Sequence, residues 1–270
     1  MRKGINLIPI NNDINKLSAF IPSLDKGWRA SQRIDSKPVM VESLDAVREF
    51  QRQGWNIAGA YEQRNKQNRK VGSHFIRMEH PDFKVTNRKG QTDAVATMNI
   101  SNSTNGSKPM ELDLGAYRQV CENGMIAHTS YSSARVPHSE QGQYSLNEIL
   151  CDLGIRTQGV MEEFNKLKER NLSPAEAMNL ATRAADIRFG KGHRIDVSQL
   201  LNIVREEDKG DDVWTVFNRI QENLTQPHRI TDVYGNNIGG VTDVSEDTRI
   251  NRGLFELVDE CFPSVKSYLN

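Results

Sequence analysis

The chain has 270 residues, of which 37% are hydrophobic and 26% charged, and its formal net charge is zero. This length and composition predict a globular protein with one large domain or two small ones. No apolar run approaches the ~20 residues that span a bilayer, and the basic amino-terminal stretch lacks the apolar centre of a signal peptide. A membrane protein and a membrane partner are thereby excluded, and we expect a cytoplasmic protein.

The charge is unevenly distributed along the chain. Residues 1–150 contain 20 Lys and Arg against 15 Asp and Glu, and residues 151–270 contain 15 against 20. A basic half beside an acidic half is typical of an anionic partner or of head-to-tail self-association, so a homo-oligomer is expected. Ordinary variation in surface charge explains a difference of this size equally well.

The first half of the chain is predicted to be mainly β. Residues 43–51 have apolar side chains at helical spacing, with Ser43 as the N-cap. Four later stretches alternate polar and apolar residues as strands do: residues 55–61, 73–78, 94–101 and 110–114. The polar connection at 102–107 contains the turn signal Asn105-Gly106, which predicts a β-hairpin.

The second half is predicted to be helical. Ser145 and Glu148 form a capping box, and the apolar residues that follow recur at helical spacing, with Gly154 as a break in the run. The predicted starts of the later helices are Ser173, Asp196, Asp211 and Ser245. Strands followed by helices predict an α+β fold with an amino-terminal antiparallel sheet. We expect a β-rich segment at 1–142 with a basic surface, and a helical segment at 143–270 packing on it as one compact domain.

Three polar segments carry the most specific residue pattern. They are YRQVCENGM at 117–125, VWTVFNRIQEN at 213–223 and RINRGLF at 249–255. Together with the hairpin loop, they resemble the domain-of-unknown-function 932 family of phage- and plasmid-related proteins, over roughly residues 90–260. The resemblance implies mobile-element biology without a known reaction. That family usually has a histidine and an aspartate in the hairpin loop, where this chain has Thr104 and Asn105.

The polar residues of these segments have two interpretations. Asn218, Arg219 and Glu222 share one helix face, because they are three or four residues apart. They form either a buried network in which Arg219 bridges Glu222 and backbone carbonyls, or a surface that binds a nucleotide or a phosphate. The candidate polar cluster comprises Arg118, Asn123, Asn218, Arg219, Gln221, Glu222, Asn223 and Arg252.

Basic residues are concentrated between residues 64 and 89, with Phe75 and Phe83 among them. Cations that follow a phosphate backbone, interleaved with aromatic rings on which bases stack, are what single-stranded nucleic-acid binding requires. The alternative is a solvated loop with a buried Phe75. The predicted nucleic-acid-binding residues are Arg64, Lys66, Arg69, Lys70, Arg77, Lys84, Arg88, Lys89, Lys191 and Arg194. The last two lie in a glycine-rich loop without the residue order of a P-loop.

No residue pattern predicts a catalytic site, a cofactor or a bound metal. The six histidines lack metal-ligand spacing, and His74 and His80 are expected at the surface. The three cysteines are widely spaced and predict reduced thiols. A nuclease that uses Asp113, Glu122 or Glu222 is an alternative for which no spacing argues.

We therefore expect a nucleic-acid-binding protein that acts in replication or recombination of a mobile element by binding or annealing single strands. DNA is the expected partner, with the single-stranded form preferred. The alternative is a protein-binding inhibitor or regulator of a host system, with a host or phage protein as its partner. Salt-sensitive DNA binding distinguishes the first from the second.

Overall fold

The structure is a computed structural model that describes residues 7–31, 37–64, 71–87, 90–118, 123–126 and 132–262. Within these ranges, seven strands form one antiparallel sheet. The strands are β1 Ile8–Pro9, β2 Asn56–Arg64, β3 Val71–Thr86, β4 Thr92–Ser103, β5 Met110–Arg118, β6 Asn123–Ile126 and β7 Ser133–Val136. They lie in the order β1-β2-β3-β4-β5-β6, and β7 pairs with the part of β5 that β6 leaves free. The predicted hairpin is therefore confirmed as β4 and β5.

Three short helices accompany the first strands: α1 Ile14–Phe20, α2 Lys26–Ser31 and α3 Ser43–Arg52. Four longer ones follow the sheet: α4 Glu140–Lys166, α5 Pro174–Phe189, α6 Val213–Thr225 and α7 Val244–Cys261. This arrangement confirms the predicted α+β class, with a sheet first and helices afterwards. Within the described ranges, no helix combines the length and the apolar composition needed to cross a bilayer.

The long helix α4 differs from its prediction at both its start and its middle. It is capped by Ser139, whose Oγ accepts a hydrogen bond from the backbone N–H of Gly142 at 3.1 Å. The predicted capping box at Ser145 is wrong, because the first turn is polar and gives no apolar periodicity. The predicted break at Gly154 is also wrong. The side chain of Gln53 packs there so closely that a Cβ would lie 2.1 Å from its Oε1, and glycine leaves it room.

Two other helices begin at or next to their predicted N-caps. The predicted capping box of α5 is confirmed, with Ser173 and Glu176 bonding each other's backbone N–H. Helix α6 is capped by Asp212, whereas the predicted cap was the preceding residue, Asp211. Ser43 is the first residue of α3 and does not cap it. Its Oγ lies instead 2.8 Å from Nε2 of His74, so the prediction of an N-cap at this serine is wrong.

The sheet has one apolar and one polar face. One cross-strand row consists of Ala60, Ile76, Ile100 and Leu112, and the next row consists of Tyr61, Phe75, Ser101 and Glu111. Directly paired residues point to the same side of a sheet, so the first row marks a core face and the second a polar face. Helices α3 and α4 pack on the core face, and α7 lies over the polar face.

Candidate nucleic-acid interface

A cleft of about 690 Å³ opens between the polar face of the sheet and the helices α5 and α7. The sheet supplies its floor, the β4–β5 loop one wall, and the end of α5 with α7 the other. Its lining comprises Tyr61, Gln63, Ser73, His74, Phe75, Ser101, Asn102, Ser103, Lys108, Pro109, Glu111, Asp186, Ile187, Ser245, Thr248, Arg249, Arg252, Gly253 and Glu256. Sites for small ligands commonly have volumes of this order.

Two aromatic side chains lie next to each other on the floor of the cleft. Tyr61 of β2 and Phe75 of β3 are direct cross-strand partners, and both are half-buried. Such partners have Cβ atoms about 5 Å apart and point to the same face of the sheet, so the two aromatic side chains are neighbours on the floor. Gln63 and Ser73 form the next pair along the same strands, and the Ser73 hydroxyl donates to Oε1 of Gln63 at 3.2 Å. The floor thus combines an aromatic surface with hydrogen-bonding side chains.

The charged residues of the cleft are balanced, and its guanidinium groups are already paired. Arg252 of α7 donates to Glu111 at 2.8 Å and to Asp113 at 2.6 Å. Burial lowers the pKa of Arg252, but the two carboxylates outweigh it and the net pKa is raised. Arg249 donates to Glu246 and to the backbone carbonyl of Ile187. Arg252 therefore joins α7 to the sheet and Arg249 joins it to α5, and the charge of both is balanced by carboxylates.

The lysine at the rim of the cleft is different. Lys108, in the β4–β5 loop, is exposed and makes no ion pair within the described part of the chain. Its backbone is fixed, because Ser103 accepts from the Lys108 N–H and donates to its carbonyl. A mobile ammonium group on an anchored backbone is well placed to meet an anion at the rim.

The ten predicted nucleic-acid-binding residues are only partly described. Lys66, Arg69, Lys70, Arg88 and Lys89 lie outside the described residues, and of Arg64 only the backbone is described. In the sequence, the segment 64–70 separates Gln63 from Ser73, and both of these residues line the cleft. In the sequence, the most basic segment therefore connects two residues that line the cleft.

The four described cations lie in two places. Arg77 of β3 is half-buried, with its guanidinium 3.7 Å from the Tyr117 ring and its Nε 3.3 Å from a carboxylate oxygen of Glu79. Lys84 of the same strand is exposed. Lys191 and Arg194 are exposed in the loop after α5, and Arg194 donates to the Tyr234 hydroxyl at 2.8 Å. Arg77 is thus already engaged, whereas the other three are open to solvent.

The polar side of α6 does not face solvent, because every residue of this helix is buried. Arg219 donates to the backbone carbonyls of Asp208 and Gly210, both at 2.7 Å. Asn223 donates to the carbonyls of Leu200 and Asn202 at 3.1 and 2.9 Å. These bonds satisfy backbone groups of the segment between α5 and α6 and fix that segment to the helix.

Glu222 has partners that the sequence did not suggest. Arg205 donates to both of its carboxylate oxygens, at 2.9 and 2.5 Å, and Arg229 donates to one of them at 3.0 Å. The predicted bridge from Arg219 to Glu222 is wrong, although the predicted bonds from Arg219 to backbone carbonyls are present. With α6 enclosed, Asn218, Arg219, Gln221, Glu222 and Asn223 form a structural network rather than a binding surface.

Arg118 links the sheet to the helical half. It is 2% exposed, and it donates to Asp93 at 2.8 Å, to Asp208 at 2.6 Å and to the Glu207 carbonyl at 3.0 Å. Asp93 also accepts from Nε1 of Trp214 at 2.8 Å and from Lys168 at 3.0 Å. Strand β5, the segment after α4 and the start of α6 therefore meet at the Asp93 carboxylate of β4, whose side chain is 9% exposed.

The remaining members of the candidate polar cluster are separate from this junction. Arg252 lies at the cleft, and the side chain of Asn123 lies outside the described residues. The carboxylates considered for a nuclease are also occupied, since arginines bind both Asp113 and Glu222, while Glu122 lies outside the described residues. Across the described ranges, no group of three or more His, Cys, Asp or Glu is placed to hold a metal ion.

The expectation that His74 and His80 lie at the surface is wrong. Both are buried on the core face, at 5% and 7% exposure. His80 packs edge-to-face against Trp55, and one of its ring nitrogens lies 3.1 Å from the carbonyl of Gln53. The two rings therefore fix α3 to the core face of the sheet.

The buried imidazole of His74 is expected to make stability depend on pH. Burial, with the nearby charge of Arg29, lowers its pKa to about 3, whereas an unfolded histidine titrates near pH ~6.5. Between these values only the unfolded chain takes up the proton. Stability is therefore complete above pH ~6.5 and decreases by about 1.4 kcal/mol per pH unit below it.

Urea unfolding of the wild type and of His74→Gln, above and below pH ~6.5, measures this loss. The variant should lose less stability on acidification, and His228→Asn, at an exposed position, should behave as the wild type does. Equal pH slopes for the wild type and for His74→Gln would contradict the assignment.

Sequence reasoning missed most of the cleft. Its floor was visible as a polar alternation in β4, where Thr97, Asn99, Ser101 and Ser103 are interleaved with Met98 and Ile100. That signal indicates a sheet with a polar second face. It does not indicate which helix covers that face, so Arg249 and Arg252 could not be placed there.

The comparisons with known proteins show a family but name no activity. The sequence model of the family described as Domain of unknown function (DUF932) matches residues 37–252, so the match begins earlier than the resemblance at 90–260 indicated. The chain is similar to the UPF0380 proteins YfjQ and YafZ of Escherichia coli (strain K12), each 27% identical over 94% of this chain and 93% of the relative. No solved structure matches. Because the family model covers most of its length, the chain belongs to the family of the domain of unknown function DUF932.

Proposed function

We propose that this protein binds single-stranded nucleic acid, with DNA as the preferred form, and acts in the cytoplasm in the replication or recombination of a mobile element. The observation that carries the proposal is that two neighbouring aromatic residues, Tyr61 and Phe75, line the floor of a polar cleft. Base stacking on such rings tolerates any sequence and is available only where the bases are unpaired.

The cations around the cleft support the same function. Lys108 lies at the rim, and the segment with Arg64, Lys66, Arg69 and Lys70 adjoins Gln63 of the floor in the sequence. A strand crossing the cleft would place its phosphates near Lys108 and its bases near the rings of Tyr61 and Phe75. Neutralised phosphates with accessible bases are also what the annealing of two strands requires.

Binding is tested with a labelled single-stranded oligonucleotide and its duplex, by fluorescence polarisation over a series of salt concentrations. We expect salt-sensitive binding that is tighter for the single strand. Replacing Lys66, Arg69 and Lys70 together by Gln should weaken binding and reduce the salt slope by about 1 for each cation that contacts a phosphate.

The matched control removes three cations from the opposite side of the sheet: Lys26, Arg48 and Arg52, each replaced by Gln. These residues are exposed and lie on α2 and α3, so this variant should bind as the wild type does. Absence of salt-sensitive binding to either form of DNA at micromolar protein would overturn the proposal.

A second candidate function is that of a protein-binding regulator. Two pairs of large apolar side chains are exposed in the segments that follow α5 and α6: Ile203 with Val204, and Val233 with Tyr234. Exposed apolar residues near one another indicate a protein contact more than a nucleic-acid one. A stoichiometric host partner that is lost when Val233 and Tyr234 are replaced by Ser would favour this function, provided that DNA binding is absent.

A further inference from the structure

The charge pattern of the cleft limits which part of a nucleotide can enter it. Its lining contains three cations and three carboxylates: Lys108, Arg249 and Arg252 with Glu111, Asp186 and Glu256. Arg252 is held by two carboxylates and Arg249 by Glu246. A phosphate inside the cleft would therefore meet three carboxylates, and guanidinium groups whose positive charge is already balanced by carboxylates.

A neutral planar group meets favourable contacts instead. Tyr61 and Phe75 offer its flat face an aromatic surface. The side chains of Gln63, Ser73 and Ser101 offer hydrogen-bond donors and acceptors to its edge. A nucleobase has these properties, since it combines a flat apolar face with a polar edge. An amide and hydroxyl groups can both donate and accept, so they would accommodate different bases.

We propose that the cleft holds an unstacked nucleobase, while the phosphates of the same strand stay outside it, near Lys108 at its rim. This inference rests on the proposed function and adds which chemical group the cleft recognises. A base inside a duplex is stacked and paired on both sides, and taking it out costs a few kcal/mol. The cleft therefore accounts for a preference for single strands that the cations alone would not give.

The test compares two labelled single strands of equal length and charge, one with ordinary bases and one abasic, at one salt concentration. We expect the abasic strand to bind about tenfold or more weakly, as the loss of base stacking requires. In the double variant Tyr61→Leu with Phe75→Leu, which keeps apolar side chains on the floor, the two strands should bind nearly alike. Tyr144→Leu, at an exposed tyrosine of α4, is the matched control and should keep the difference.

The outcomes separate this inference from the proposed function. Equal, salt-sensitive binding of both strands to the wild type would overturn the nucleobase site and leave nucleic-acid binding intact. A difference that survives in the double variant would place the stacking elsewhere and also overturn the site. No binding of either strand would overturn the proposed function itself. Should the double variant fail to fold, the wild-type comparison alone still decides whether bases contribute.

Discussion

Replacement of Arg118 by alanine is expected to lower the free energy of unfolding by about 3–5 kcal/mol. The side chain is buried, and it donates to carboxylate oxygens of Asp93 and Asp208 at 2.8 and 2.6 Å. Without the guanidinium, both carboxylates lose a charged partner inside the protein, where water cannot replace it. Urea unfolding at neutral pH measures the loss.

The matched control is Arg135→Ala, whose guanidinium lies 3.3 Å from a carboxylate oxygen of Glu111 with 68% of the side chain exposed. An exposed ion pair contributes at most about 1 kcal/mol, so this variant should remain close to the wild type. Equal losses in the two variants would show that the burial of Arg118 is not what makes its ion pairs important.

Arg118→Ala is also expected to change how the free energy of unfolding responds to acid. Burial raises the pKa of Asp93, but Arg118 and Lys168 outweigh it, and the net pKa lies below the usual value. In the wild type this carboxylate therefore contributes stability above the unfolded pKa of ~3.9, and the contribution is lost as pH falls through the folded value. In Arg118→Ala one of the two partners that lower this pKa is gone and Lys168 remains, so acidification should cost less stability than it costs the wild type.

Trp214→Ala is expected to cost about 3–5 kcal/mol, the range for removing a large buried aromatic side chain. Trp214 is 1% exposed and packs against Phe164, with ring centroids 5.6 Å apart. Its Nε1 donates to Asp93, so truncation both opens a cavity and removes a hydrogen-bond donor from this carboxylate. Thermal and urea unfolding measure the effect.

Trp214→Phe separates the two contributions. The smaller ring still fills most of the space but cannot donate to Asp93, so we expect a loss of about 1–3 kcal/mol from the missing hydrogen bond and the smaller volume. An unchanged melting temperature in Trp214→Ala would mean that the ring is not part of the core.

Those parts of the fold that depend on local patterns were predictable. The alternation in β4 and the Asn105-Gly106 turn signal specified the hairpin, and the Ser173 capping box specified the start of α5. Local signals failed where a distant residue decides the outcome. Gly154 does not interrupt α4, because Gln53 of another element fills the space beside it. Ser43 does not cap α3, because His74 of the sheet takes its hydroxyl group.

The candidate site was predictable only in part, for the same physical reason. Phe75 and the basic residues around it stood out in the sequence, but its partner Tyr61 is defined by strand register, which the sequence does not specify on its own. The polar residues of α6 were visible too. Their partners were not, because the bond from Trp214 to Asp93 joins residues 121 positions apart in the chain.

The enclosure of α6 on all sides has a consequence for how the molecule opens. A helix with one solvent-facing side can detach by a small local fluctuation, but α6 cannot leave without separating the sheet from the helices that surround it. Its backbone amide hydrogens should therefore exchange with deuterium only through global opening, at a rate set by the full unfolding free energy. The short amino-terminal helices α1 and α2, with several exposed residues each, should exchange long before it.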